Sequence, residues 1–148
     1  MKKVLVIDDE TEVFMDYLFA QLEMRGYLAR KATSLREAVE ILKEEKDFCA
    51  AILDLMLPIL PEDDEIFERH FGYKPKDDLD AMQAGLSLLP ILRAEGIPVL
   101  ILTNVNEATT VGQKIFNNIP QDVPVYIKPP KEDFYERLQE ICIHRDND

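Results

Sequence analysis

Two apolar runs in the chain break off into acid. Val4-Leu5-Val6-Ile7 leads into Asp8-Asp9-Glu10, and Ala50-Ala51-Ile52-Leu53 leads into Asp54. Short apolar runs with polar ends read as strands buried on both faces of a parallel sheet. Open α/β sheets bind ligands at the carboxyl ends of their strands, so carboxylates at two such ends share one crevice. Acids held that close repel one another unless a cation joins them. A divalent metal site is therefore the first chemistry these residues suggest. Two later apolar runs end at Thr103 and Lys128, which adds a hydroxyl and an ammonium at the same rim.

The elements that must position these groups are legible as an alternation. Strands are predicted over 3–8, 28–32, 49–54, 98–103 and 124–128. Between them, Val13, Phe14, Tyr17, Leu18, Gln21 and Leu22 repeat at helical spacing, with Gly26 as the stop. Ser34 and Glu37 form a capping box ahead of a face of Leu35, Ala38, Val39 and Leu42. Ala108, Val111, Ile115 and Ile119 make a further face capped by Asn106, and Phe134, Leu138 and Ile141 mark the last helix before a polar tail at 145–148. Five strand–helix alternations predict a parallel sheet covered on both faces.

Thirty residues separate Asp54 from Gly85, where an α/β connection usually takes about 2–6. Residues 62–80 hold eight acids and three bases, yet Ile66, Phe67, His70 and Phe71 recur as one or two amphipathic turns. A partly ordered excursion over the sheet edge is expected, its apolar face covering core. Pro90 would interrupt a helix over 80–94. A break at 85–87 with Ser87 as cap would place it harmlessly in a first turn.

Composition narrows the function classes. At 148 residues with 47% hydrophobic content, the expectation is one ordered domain over 1–148, with an acidic insertion at about 59–84 and nothing folded after the fifth helix to carry an output. Twenty-nine acids against 17 bases give a net charge of -12, which repels phosphate backbones, so no direct nucleic-acid binding is expected. Lys2-Lys3 precedes only four apolar residues before the acids, too few for a secretion signal, and nothing approaches membrane-spanning length. Cys49 and Cys142 are expected as reduced core residues of a cytoplasmic protein. His70 and His144 are expected on the solvated surface.

The motifs VLVIDDE at 4–10, ILDLMLP at 52–58, VLILTN at 99–104 and YIKPP at 126–130, in this order on these strand ends, resemble the CheY-like receiver domain of two-component response regulators. The resemblance covers nearly the whole chain. It implies a three-layer (βα)5 flavodoxin-like fold with a parallel sheet of order 2-1-3-4-5. It also implies that Asp54 is the phosphoacceptor and that Mg²⁺ is held directly by Asp9, Asp54 and the backbone carbonyl of Met56, with Asp8 acting mainly through water. Lys128 and Thr103 would contact phosphoryl oxygens, and the Lys128–Pro129 bond would be cis. Glu10 is read as the start of the first helix.

The implied activity is that of a stand-alone switch, a regulator rather than an enzyme. It would be fed by a sensor histidine kinase or histidine phosphotransfer protein, act on a downstream protein and pair on activation. Three features depart from the family. Val125 stands where an aromatic switch residue is usual, with Tyr126 pointing to the opposite face. Asn104 replaces a small residue, and the insertion begins four residues after Asp54. The first and third of these suit a receiver-like binding module that signals without phosphate. A haloacid-dehalogenase-type phosphohydrolase would need a second acid at position 56, where Met56 stands.

Overall fold

The computed structural model describes residues 2–10 and 13–147, with side chains described as far as Ile143. Five parallel strands, β1 (Lys2–Ile7), β2 (Tyr27–Ala32), β3 (Phe48–Leu53), β4 (Val99–Thr103) and β5 (Val125–Ile127), lie in the order β2-β1-β3-β4-β5. This is the predicted topology, and each predicted strand matches within two residues. The reason is physical: β1, β3 and β4 are buried on both faces, so their apolar runs are nearly continuous.

Alternation along the strands feeds two cores. Leu5, Ile7, Ala51, Leu53 and Ile101 face one, and Val4, Val6, Ala50, Ile52 and Leu102 the other. The second core is covered by α1 (Val13–Met24) through Met15, Leu18 and Leu22, and by α7 (Glu132–Asn147) through Phe134, Tyr135, Leu138 and Cys142. The expected α1 face is rotated, because Val13 and Tyr17 are exposed and Met15 points inward. The predicted polar tail is helical as far as Asn147. Residue 148 and the His144 side chain lie outside the described residues.

The first core is covered by α2 (Leu35–Glu44), α5 (Leu89–Ala94), α6 (Thr110–Phe116) and the segment between β3 and α5. Ser34 caps α2 as predicted, its hydroxyl accepting from the Glu37 N–H at 3.1 Å. The Glu37 carboxylate instead accepts from the Thr33 hydroxyl, so the reciprocal half of the box is not made. Thr109, not Asn106, caps α6, accepting from the Gly112 N–H. Asn106 closes a turn one step earlier by accepting from the Ala108 N–H.

The acidic insertion is folded throughout. After a 3₁₀ turn at Pro61–Asp63 come α3 (Asp64–Phe71) and α4 (Asp78–Met82). Ile66 joins the first core, and Phe67 is fully buried, stacking on Phe71 at 4.4 Å and meeting Tyr73 edge-on at 5.7 Å. Two of its acids are interior acceptors. Asp63 is wholly buried and takes the N–H groups of Arg36 and Leu60, tying the insertion to the start of α2. Asp80 takes the Tyr73 hydroxyl and the Lys76 N–H. Burial would raise its pKa, but these donors hold it below the ordinary carboxylate value. The expected excursion over the sheet edge is instead a packed layer against α2 and the following 3₁₀ segment. Phe67→Ala should therefore destabilise the protein by about 3–5 kcal/mol in urea denaturation. An effect of surface size would mean the insertion is not part of the core.

The anticipated break before Pro90 is a 3₁₀ segment, Ala84–Leu88, and Pro90 sits in the first turn of α5, where its missing donor costs nothing. Leu88 rather than Ser87 occupies the cap position, without a side-chain cap bond. The cysteines depart from expectation. Cys49 and Cys142 are joined in a disulfide across 93 residues, their Cα atoms 4.9 Å apart. A register shift between Lys3 and Val4 makes Cys49 a bulged residue of β3. Cys49 and Ala50 thereby both face the second core, against the usual alternation.

Candidate functional site

The carboxyl ends of β1, β3, β4 and β5 bring Asp8, Asp54, Thr103 and Lys128 together. Lys128 is the hub. Its Nζ lies 2.7 Å from Asp8 Oδ2, 2.9 Å from Glu10 Oε1 and 2.9 Å from Asp54 Oδ2. Three of these side chains are almost sealed from solvent, at 4% exposure for Lys128, 4% for Asp8 and 6% for Asp54. The Lys128–Pro129 peptide is cis, as the resemblance implied.

Burial and charge set the protonation tendencies. Burial pushes Asp54 up, as does the Asp8 charge, while Lys128 and the Thr103 hydrogen bond pull it down without fully compensating. Asp8 is likewise raised, chiefly by burial. For Lys128, burial alone would lower the pKa. The Asp54 charge and the hydrogen bonds to Asp8, Glu10 and Asp54 outweigh it and hold the ammonium above its ordinary value. Thr103 is wholly buried, and its Oγ1 accepts from the Val105 N–H.

The structure differs from the sequence reading in which acids converge. Among the described residues, Asp8, Glu10 and Asp54 offer carboxylate oxygens within 4.8 Å of one another. Asp9, expected as a direct ligand, is exposed and outside this set. The cause is local: Asp8 Oδ1 accepts from the Glu10 N–H at 3.0 Å, a side-chain-closed turn that puts residues 8 and 10 on the same side. Glu10 thus sits in the loop before α1 rather than opening the helix. Met56 adjoins the site through its N–H, which donates to Asp54 Oδ1 at 3.2 Å. Asn104 is exposed, its Nδ2 3.4 Å from Glu10 Oε1. Phe14, which the sequence marks only as a helix-face residue, has its ring 5.1 Å from Lys128 Nζ, within cation–π range. No spacing signal separates it from an ordinary packing residue. His70 is exposed, as expected.

Three carboxylates against one ammonium leave a formal charge of -2 among these side chains. The donors are all hard oxygens. Both properties fit Mg²⁺, a hard divalent cation that takes oxygen ligands and keeps several of its waters.

The backbone under Asp54 is held by a glycine. Gly85 N–H donates to the Leu55 carbonyl at 2.8 Å, and a Cβ on Gly85 would stand 2.1 Å from the Asp54 carbonyl oxygen. Only glycine lets the 3₁₀ segment approach this closely. Gly85→Ala should therefore lower stability by about 1–3 kcal/mol in urea denaturation. It should also shift the amide resonances of Asp54 and Leu55. A variant as stable as the parent with both resonances unmoved would contradict this packing.

No family model matches the sequence, and neither does any curated protein. Solved structures do match. A response regulator receiver domain protein (CheY-like) from Methanospirillum hungatei JF-1 is 21% identical with a TM-score of 0.62, covering 99% of this chain and 98% of that one. The receiver domain of the Francisella response regulator 1452 is 22% identical with a TM-score of 0.61, covering 97% and 98%. A response regulator protein from Burkholderia pseudomallei, solved with a phosphorylated aspartic acid, a calcium ion and citrate, is 26% identical with a TM-score of 0.58, covering 99% and 72%. With the strand order and the covered faces already in place, these likenesses assign the architecture: the chain has the flavodoxin-like fold of CheY-like response-regulator receiver domains.

Proposed function

We propose that the protein is a phosphorylation-dependent receiver in which Asp54 accepts a phosphoryl group from a phosphohistidine. The observation that carries this reading is the meeting of Lys128 Nζ with Asp8, Glu10 and Asp54 at one strand-end rim. An Asp54 oxygen attacks phosphorus while the P–N bond breaks, and the electron pair returns to the imidazole of the donor. Lys128 holds Asp54 in place and then pairs with a phosphoryl oxygen, and Thr103 donates its hydroxyl to another. Asp54, Asp8 and Glu10 would hold Mg²⁺, which would supply charge neutralisation at the phosphoryl oxygens. Asp9 is exposed and outside that set, so in this reading Asp8 and Glu10 rather than Asp9 would be the carboxylates that join Asp54 at a bound ion.

The implied donors are a sensor histidine kinase or a phosphotransfer protein, the output a protein partner, and the setting cytoplasmic. The protein acts as a regulator whose chemistry at this site is its own phosphorylation and dephosphorylation. Among the described residues no helix is long and apolar enough to cross a membrane. The Burkholderia relative with its phosphorylated aspartic acid and divalent ion supports the reading by likeness. A second reading, a binding module indifferent to phosphate, is favoured by one feature. Val125 packs beside the first core while Tyr126 packs edge-on against Phe134 at 5.4 Å on the other face, so the aromatic ring next to Val125 in the chain is turned away from the first core.

Beryllofluoride, a phosphoryl mimic, separates the two. With Mg²⁺ it should move the amide resonances of Asp54, Thr103, Asn104 and Lys128, and neither component alone should reproduce the change. Resonances that stay in place with both present would remove the phosphoacceptor role.

A further inference from the structure

We propose that Cys49 and Cys142 form a thiol–disulfide exchange site, addressed by small thiols and dithiols, that controls how firmly the C-terminal end of α7 is docked. It is independent of the chemistry at Asp54. Three observations carry it. The bulge in β3 leaves Cys49 and its neighbour Ala50 both in the second core, so Cys49 lies on the sheet face that α7 covers. Cys49 also lines an open cleft of about 920 Å³ between β1, β2 and α7, whose polar walls include Lys3, Arg25, Asp47 and Glu132. Cys142 is wholly buried and does not line it, whereas Cys49 keeps 4% exposure at the cleft wall, so an external thiol meets the Cys49 side of the bond.

The third observation is where α7 is anchored. Phe134, Tyr135 and Leu138 are buried in its first half, and Cys142 is the last buried side chain described before Ile143, which is 44% exposed. Beyond Leu138 only the partly buried Ile141 packs beside Cys142, so breaking the bond leaves the first half of the helix packed and loosens its end. The interior Cys142 sulfur becomes a neutral thiol, which suits an apolar site.

The exchange balances. A thiolate attacks Cys49 Sγ, a new S–S bond forms to it, and the Cys49–Cys142 bond breaks with its electron pair on Cys142 Sγ, which takes a proton. A second thiolate attacks the external sulfur of the mixed disulfide and releases Cys49, which is protonated in turn. Two thiols are oxidised to one disulfide, and the protein gains two electrons and two protons. The reverse reaction uses a small disulfide as oxidant.

The test is to equilibrate the wild-type protein over a series of reduced-to-oxidised glutathione ratios at fixed pH. Each sample is acid-quenched, alkylated and weighed, and amide hydrogen exchange in α7 is measured in parallel. The expected result is one reversible transition from zero to two alkylated cysteines, with unchanged far-ultraviolet circular dichroism. Amides of 139–147 should exchange at least about tenfold faster after reduction, and those of 132–138 should hardly change. Cys142→Ser should show the fast exchange at every ratio. Because the wild type carries the measurement, a variant that fails to fold does not remove the test. Two free thiols at every ratio would overturn the proposal. So would a bond that survives excess dithiothreitol in the folded protein, equal α7 exchange in both forms, or global unfolding on reduction.

Discussion

Lys128→Ala should destabilise the protein by about 3–5 kcal/mol, because removing one member of a buried ionic cluster leaves its partners uncompensated. Lys128 faces three carboxylates at 2.7–2.9 Å, and it, Asp8 and Asp54 are nearly sealed from water. Burial already pushes Asp8 and Asp54 towards the protonated state with the ammonium present. Without it, the folded state must either take up protons there or bear the repulsion. Millimolar Mg²⁺ should restore part of the loss, since a divalent cation answers the same charge. Urea denaturation with and without Mg²⁺ checks both statements. A loss of only a few tenths of a kcal/mol would mean that the cluster is solvated like a surface ion pair.

Asp54→Asn should abolish phosphorylation by acetyl phosphate while leaving the fold intact. The amide keeps the shape of the carboxylate and removes the attacking oxygen's charge, so the nucleophile is lost without opening a cavity. It also removes one of three crowded acids and one partner of Lys128, opposing changes that leave the net stability effect small. Labelling should fall to the uncatalysed background, a loss of at least about a thousandfold for a positioned nucleophile. Residual labelling above about a tenth of wild type would place the acceptor elsewhere.

Strand order and strand ends were legible because burial on both faces writes itself as apolar runs, and Asp8, Asp54, Thr103 and Lys128 then follow from where those runs stop. What escaped was local geometry that leaves no periodic trace. Glu10 joins the site because an N–H bond to Asp8 turns the chain, and Asp9 is displaced by the same turn. The insertion looked solvated by its charge count, yet Asp63 and Asp80 are interior acceptors for backbone donors, a use of acid that composition does not separate from surface display. The core location of both cysteines was legible. Their pairing joins a bulged residue of β3 to a helix 93 residues away, and no spacing in the chain announces it.

The role of Asp54 is tested most directly by incubating the protein with acetyl phosphate and Mg²⁺, trapping the acyl phosphate with borohydride and mapping the reduced residue by peptide mass. A single modified residue, Asp54, is expected, formed only when Mg²⁺ is present. Modification at Asp8, Asp9 or Glu10 instead, or labelling indifferent to Mg²⁺, would contradict it.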